Sequence, residues 1–189
     1  MLSNIHEDPN PWLRLERQSF RISEFFQYYQ DKVQVAPDLA IDYFHVERPR
    51  SATIVAQTGH GEIAMLRQYR YPVHAWCWEL PAGAFIAGKD QDLQDTARRE
   101  LQEETGIICQ TLKEIGHFYV ASHLTNETTY VFIATIKELA ESNVEVSEIL
   151  SLHFVPVTRA LDMARRGEIH DGPSALALLL AETRLIPAR

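Results

Sequence analysis

Between residues 92 and 104, Leu93, Ala97 and Leu101 recur at every fourth position and Thr105-Gly106 follows at once. That spacing predicts an amphipathic helix stopped by glycine, and its apolar stripe must lie against another layer. The flanking text supplies one. Residues 51–57 and 62–69 alternate or run apolar around Thr58-Gly59-His60-Gly61, predicting a β-hairpin, and residues 76–80 form a further strand that stops at Pro81-Ala82-Gly83. Strands are expected again over about 112–121, 128–136 and 149–157. Thr158 is positioned to cap a helix running to Arg166-Gly167, and Gly172-Pro173-Ser174 opens an apolar last helix. Strands interleaved with helices, without strict alternation, predict an α+β fold with a mixed sheet covered on both faces.

Upstream, residues 20–46 are rich in aromatic and β-branched side chains with a turn signal at Ala36-Pro37-Asp38, which predicts short antiparallel strands. Arg48-Pro49-Arg50 reads as a joint. The expected organisation is therefore a small β-rich unit over 1–48 and a main domain over 49–189, and 189 residues leave no room for two large domains.

With 46% hydrophobic and 23% charged residues the chain has globular composition. Its net charge of −8 disfavours nucleic-acid polymers and anionic membranes as partners. A small anionic substrate would then need local positive charge or a divalent cation. Cys77 and Cys109, the only cysteines, do not make a disulfide scaffold. The acidic N-terminal text and the lack of any apolar run of about 20 residues lead us to expect a cytoplasmic protein.

The predicted helix carries Glu100, Glu103 and Glu104, whose three- and four-residue spacings bring their carboxylates onto neighbouring turns. Such a cluster suits a hard cation such as Mg²⁺, which takes oxygen ligands and is shared between a few carboxylates and substrate phosphates. By spacing alone, a solvated acidic face with an ordinary Arg99 to Glu103 pair is the commoner arrangement.

The longer text is more specific. Arg99-Glu100-Leu101-Gln102-Glu103-Glu104-Thr105-Gly106-Ile107 resembles the second half of the Nudix box at every defined position. In the first half Gln91 stands where the box has glutamate, and Gly83 lies two residues too early, so the loop 84–91 is read as two residues longer than usual. In the family that glutamate mainly braces the box arginine. Asp90 or Asp92 is placed to take its role. Arg67-Gln68-Tyr69-Arg70-Tyr71-Pro72-Val73, Trp78-Glu79-Leu80-Pro81-Ala82-Gly83 and Gly167-Glu168-Ile169-His170-Asp171-Gly172 are similar to the ADP-ribose pyrophosphatase subgroup.

This resemblance implies a Nudix-like α/β/α sandwich and hydrolysis of a diphosphate in ADP-ribose, or in another nucleoside diphosphate sugar such as GDP-mannose. It assigns the cation, Mg²⁺ with Mn²⁺ as the alternative, to Glu100, Glu103, Glu104 and the carbonyl of Ala82. Arg70 matches a family arginine that meets the substrate; Arg67 and Glu79 are further binding candidates. The general base is expected on the loop before the penultimate strand, at Glu148 or Glu145, with Glu103 also a catalytic candidate. His123 and the aromatic residues Trp12, Phe25, Phe26 and Tyr28 are further candidates for touching substrate. The resemblance also implies a homodimer through the N-terminal unit, whose aromatic residues exceed what about 25 residues can bury. A catalytically weak, nucleotide-sensing module is the competing expectation, raised by the missing box glutamate.

Overall fold

The computed structural model describes residues 12–22, 27–140 and 150–185. The chain divides into two compact units, Met1–Arg48 with Ala121–Asn126, and Pro49–Val120 with Glu127–Arg189. The first holds an antiparallel sheet in the order β1 (Leu13–Arg21), β2 (Gln27–Ala36) and β3 (Leu39–Glu47). The β2–β3 turn falls at Pro37-Asp38. A charged cluster lies on one face of this sheet: Arg17 clasps Asp31 with Nε–Oδ1 and Nη2–Oδ2 both at 2.8 Å, and reaches Glu47 at 2.9 Å. The guanidinium beside it holds the buried Asp31 carboxyl down at about 2.

The second unit is built on a seven-stranded mixed sheet among the described residues. Along its main path the order is β10 (Leu150–Pro156), β5 (Glu62–Arg70), β4 (Ser51–Gln57), β9 (Thr128–Leu139), β8 (Ile107–Tyr119). β6 (Ala75–Glu79) pairs with β5, and β7 (Ala82–Ala84) with β4. Helix α1 (Leu93–Thr105) covers one face, burying Leu93, Ala97 and Leu101 against Ala52, Ile54 and Phe132. α2 (Val157–Arg165) and α3 (Gly172–Ala181) cover the other, where Leu161, Ala177 and Leu178 meet Val55, Met65 and Val131. Strand alternation explains the two cores: Ile54 and Val55, adjacent in sequence, feed opposite faces. Among the described residues no helix is long and apolar enough to cross a membrane.

Two local expectations change. The predicted hairpin has its turn, with Gly61 at φ 82° and Thr58 N donating to Glu62 O at 2.9 Å, but β4 and β5 pair only at Gln57 and Ile63. Beyond that point they part. β4 takes β9 as a parallel neighbour, and the chain crosses the opening as Ile54 N donates to Pro81 O. Thr158 is not a cap but the second residue of α2, which begins after Pro156. α3, by contrast, is capped by Asp171, whose carboxylate accepts from Ser174 N at 2.9 Å.

Candidate active site

Residues 80–83 cross the gap between β5 and β4: Leu80 N donates to Ser174 Oγ of α3, Pro81 O accepts from Ile54 N of β4, and Ala82 and Gly83 meet α1. Ala82 N donates to Glu104 Oε2 at 3.0 Å. Next to it, a Cβ built on Gly83 would run into the Glu100 carboxyl group, so only glycine lets that carboxylate lie against the turn. Glu100 and Glu104 thus converge on adjacent residues of one turn. The helix bearing them is fixed at both ends: Asp92 caps it by accepting from Gln94 N and Asp95 N at 2.8 and 3.0 Å, and Gly106 ends it at φ 72°.

Arg99 organises the helix face. Its Nε and Nη2 meet the two oxygens of Asp90 at 2.8 and 2.9 Å, Nη2 also donates to Ala84 O at 3.1 Å, and Nη1 reaches Glu100 Oε1 at 2.8 Å and Glu103 Oε2 at 3.0 Å. Asp90 is buried and accepts further from Ile86 N and Thr96 Oγ1 at 2.8 and 3.0 Å. The Arg99 clasp holds its carboxyl at about 2, and Asp90 in turn raises the Arg99 guanidinium above its ordinary value. Of the two acids offered by the sequence as a brace, Asp90 meets Arg99 and Asp92 caps the helix. The position of Gln91 takes part through its backbone, Gln91 N donating to Asp95 Oδ2 at 3.1 Å.

A second clasp stands at the end of β5. Arg70 Nε donates to Glu79 Oε1 at 2.8 Å and Nη2 to Oε2 at 2.5 Å. The buried Glu79 therefore finds its partner inside the chain, and it raises the Arg70 guanidinium above its ordinary value. Arg67 sits apart. It pairs in register with Trp78, its guanidinium 5.2 Å from that ring, and strand alternation sets it on the face opposite Arg70. His123 belongs to the first unit, where its carbonyl accepts from Tyr43 Oη at 2.9 Å. Trp12 stands edge-on to Tyr43, and Tyr28 stacks on Phe44. Glu145, Glu148, Phe25 and Phe26 lie outside the described residues.

Among the described residues no three His, Cys, Asp or Glu side chains form a ready-made metal cage. The donor set nevertheless fits a hard cation: two carboxylates share one turn, and the side chain of Glu103, 42% exposed, lies on the same helix within reach of Arg99.

Residues 47–176 match the model of the NUDIX domain. The chain belongs to the NUDIX family. Among its relatives, the ADP-ribose pyrophosphatase of Bacillus subtilis (strain 168) is 32% identical over 135 residues, 70% of this chain and 72% of that protein. The GDP-mannose pyrophosphatase of Enterobacter sp. (strain 638) is 31% identical over 142 residues, 70% and 73%. A crystal structure of an ADP compounds hydrolase superposes with a TM-score of 0.80 at 16% identity, covering 93% of this chain and 94% of that one. That likeness supports the α+β architecture with its added antiparallel sheet. As a NUDIX member with such relatives, the protein is a hydrolase acting on a pyrophosphate bond.

Proposed function

We propose that this enzyme hydrolyses the diphosphate linkage of ADP-ribose, or of a closely related nucleoside diphosphate sugar, to a nucleoside monophosphate and a sugar phosphate. The observation that carries the reading is the convergence of Glu100 and Glu104 on the Ala82-Gly83 turn, with Arg99 holding the helix face that bears them. Glu100, Glu103, Glu104 and the Ala82 carbonyl would hold a divalent cation, Mg²⁺ with Mn²⁺ as the alternative. Such a cation, when bound, neutralises diphosphate oxygens and lowers the pKa of a coordinated water.

The chain's own groups do the rest. Arg70, its side chain 48% exposed although clasped by Glu79, is suited to donate to a diphosphate oxygen while Glu79 fixes its direction. Glu148 and Glu145 remain our candidates for the general base, with Glu103 as a further catalytic candidate. Arg67, its guanidinium over the Trp78 ring, is a further binding candidate. The sensor alternative rested on the missing box glutamate, and Asp90 supplies a clasp for Arg99 despite that substitution.

We also propose a homodimer formed through the N-terminal unit, in keeping with a cytoplasmic enzyme. Every residue of β1 is exposed, and Phe20 and Phe44, flanking Tyr28 in an aromatic row, are 45% and 47% exposed. Light scattering at micromolar concentration should give twice the chain mass; a monomer removes this part of the proposal. Turnover across a panel of ADP-ribose, GDP-mannose and related nucleotide sugars with Mg²⁺ tests the activity. Cleavage of ADP-ribose at the highest kcat/KM is expected, and no cleavage of any member overturns the reading.

A further inference from the structure

Ser174, in the first turn of α3, is 1% exposed, and its hydroxyl makes two bonds. It donates to Asp171 Oδ2 at 2.6 Å. Since a carboxylate only accepts, the lone pairs of Oγ are left to the Leu80 amide, which donates to it at 2.8 Å. Leu80 is as deeply buried, so water cannot replace that acceptor. Pro81 follows, with no N–H and a fixed φ, and its carbonyl accepts from Ile54 N at 2.9 Å. The connection from β6 to β7 is therefore anchored twice, on α3 and on β4, immediately before Ala82. In the β4–β7 ladder Ile54 bonds Pro81 and Arg50 bonds Phe85, with Thr53 facing Ala82 in register between them. Alternate residues of an antiparallel strand turn their N–H and C=O away from the partner strand, so Ala82 directs both toward α1, where its N–H meets Glu104.

We infer that Ser174 is a positioning residue for the cation site: from the helix on the opposite face of the sheet, it sets the direction in which the Ala82 carbonyl meets a divalent ion. The inference rests on the metal-dependent reading above. With both anchors in place, the peptide planes of residues 80–82 have one orientation. Without the Ser174 hydroxyl, Leu80 N must turn toward another acceptor or stay unsatisfied in the interior. Pro81, whose ring removes one torsion, passes that rotation on to Ala82 instead of absorbing it. Glu100 and Glu104 remain on α1, so the cation keeps its carboxylates and loses the alignment of its backbone ligand. Binding is then weakened and not abolished.

The test is a Mn²⁺ binding titration of the whole metal-free protein, with near-ultraviolet circular dichroism to check folding. Partners behind a metal's ligands typically change affinity about 10- to 100-fold when lost, and Ser174 acts at one remove, so Ser174→Ala should weaken Mn²⁺ binding about tenfold. Its deficit in turnover should shrink as Mg²⁺ is raised. Ala177→Gly loosens the same helix without touching the Ser174–Leu80 bond, and it should leave Mn²⁺ affinity within about twofold. Mn²⁺ affinity unchanged in Ser174→Ala, or equally weakened in Ala177→Gly, overturns the inference. If Ser174→Ala does not fold, Ser174→Cys keeps the volume nearly constant and replaces the hydroxyl by a thiol that donates and accepts weakly. Weakened Mn²⁺ binding in that variant supports the inference, and wild-type binding overturns it. Wild-type protein that binds no Mn²⁺ sinks this inference and the metal-dependent reading together, whereas wild-type binding matched by the Ser174 variant sinks the inference alone.

Discussion

Two arginine–carboxylate forks of nearly the same geometry occupy very different surroundings. At the loop–helix junction, Arg99 and Asp90 are both sequestered, with side chains 17% and 1% exposed, and the spare arm of the arginine is spent on Glu100 and Glu103. At the end of β5, Glu79 is just as deeply placed at 6%, but Arg70 is 48% exposed. A fork closed on all sides can only fix its neighbours in place. One whose arginine remains half in water can also meet an anion from solution, because the desolvation it must undergo is small and its direction is already set. On the proposed reading the first clasp belongs to the architecture of the cation site and the second to recognition of the diphosphate.

Substitutions at these two regions should separate in kind as well as in size. The largest effect is expected from Glu104→Gln, which keeps shape and removes charge where the helix meets Ala82. Loss of several kcal/mol of transition-state stabilisation corresponds to a fall in kcat on the order of 10³-fold, with thermal stability in metal-free buffer unchanged or slightly raised. Activity near wild type would remove Glu104 from the cation site.

Gly83→Ala comes next. The added methyl displaces the Glu100 carboxylate from the turn, and a misplacement of about 1 Å costs on the order of 10²-fold in kcat. Restoration by Glu100→Asp in the same chain would sharpen the point, since the shorter acid vacates the space the methyl needs. An alanine variant with full activity would show that Glu100 does not work from the position it holds.

Arg70→Lys addresses the exposed clasp. A lysine keeps the charge but not the fork, and losing one charge-assisted hydrogen bond of about 1.5 kcal/mol raises KM about tenfold with kcat little changed. An equal loss in kcat with KM constant would erase the contrast between the two regions. The smallest effect is expected at Gln91→Glu: with Asp90 already seated on Arg99, a further carboxylate is worth at most about 1 kcal/mol, less than about tenfold in rate. A gain of orders of magnitude would mean that Arg99 is not properly held in the natural chain.

Much of this arrangement is legible in the sequence, for local reasons. The period of Leu93, Ala97 and Leu101, the glycine at 106 and the text from Arg99 to Ile107 all act within a few turns of one helix, and α1 follows them closely. What escapes the sequence depends on the path of a loop or on distant partners. Asp90 and Asp92 are indistinguishable as text. They diverge only because Ile86 N and Thr96 Oγ1 turn Asp90 inward while Asp92 faces the open end of the helix. Glu79 could be recognised as a buried acid needing a partner. Yet its partner Arg70 faces Ala75 in the strand register, and only a long side chain lying along β5 closes the distance. The 51–57 and 62–69 hairpin signal is correct at its turn and misleading beyond it, because β9 and β6, remote from that turn in the text, claim the strand edges and open the gap that the site occupies. The general-base candidates Glu145 and Glu148 lie outside the described residues, so their assignment still rests on the resemblance.

The most direct test of the central claim follows the phosphorus nuclei themselves. Phosphorus NMR of ADP-ribose with the wild-type protein and Mg²⁺ should show the diphosphate resonances replaced by two phosphomonoester resonances, those of AMP and ribose 5-phosphate, with the diphosphate persisting when Glu104→Gln is used instead. Diphosphate resonances that persist with the folded, Mg²⁺-loaded wild-type protein, or that vanish equally fast with both proteins, would contradict the account.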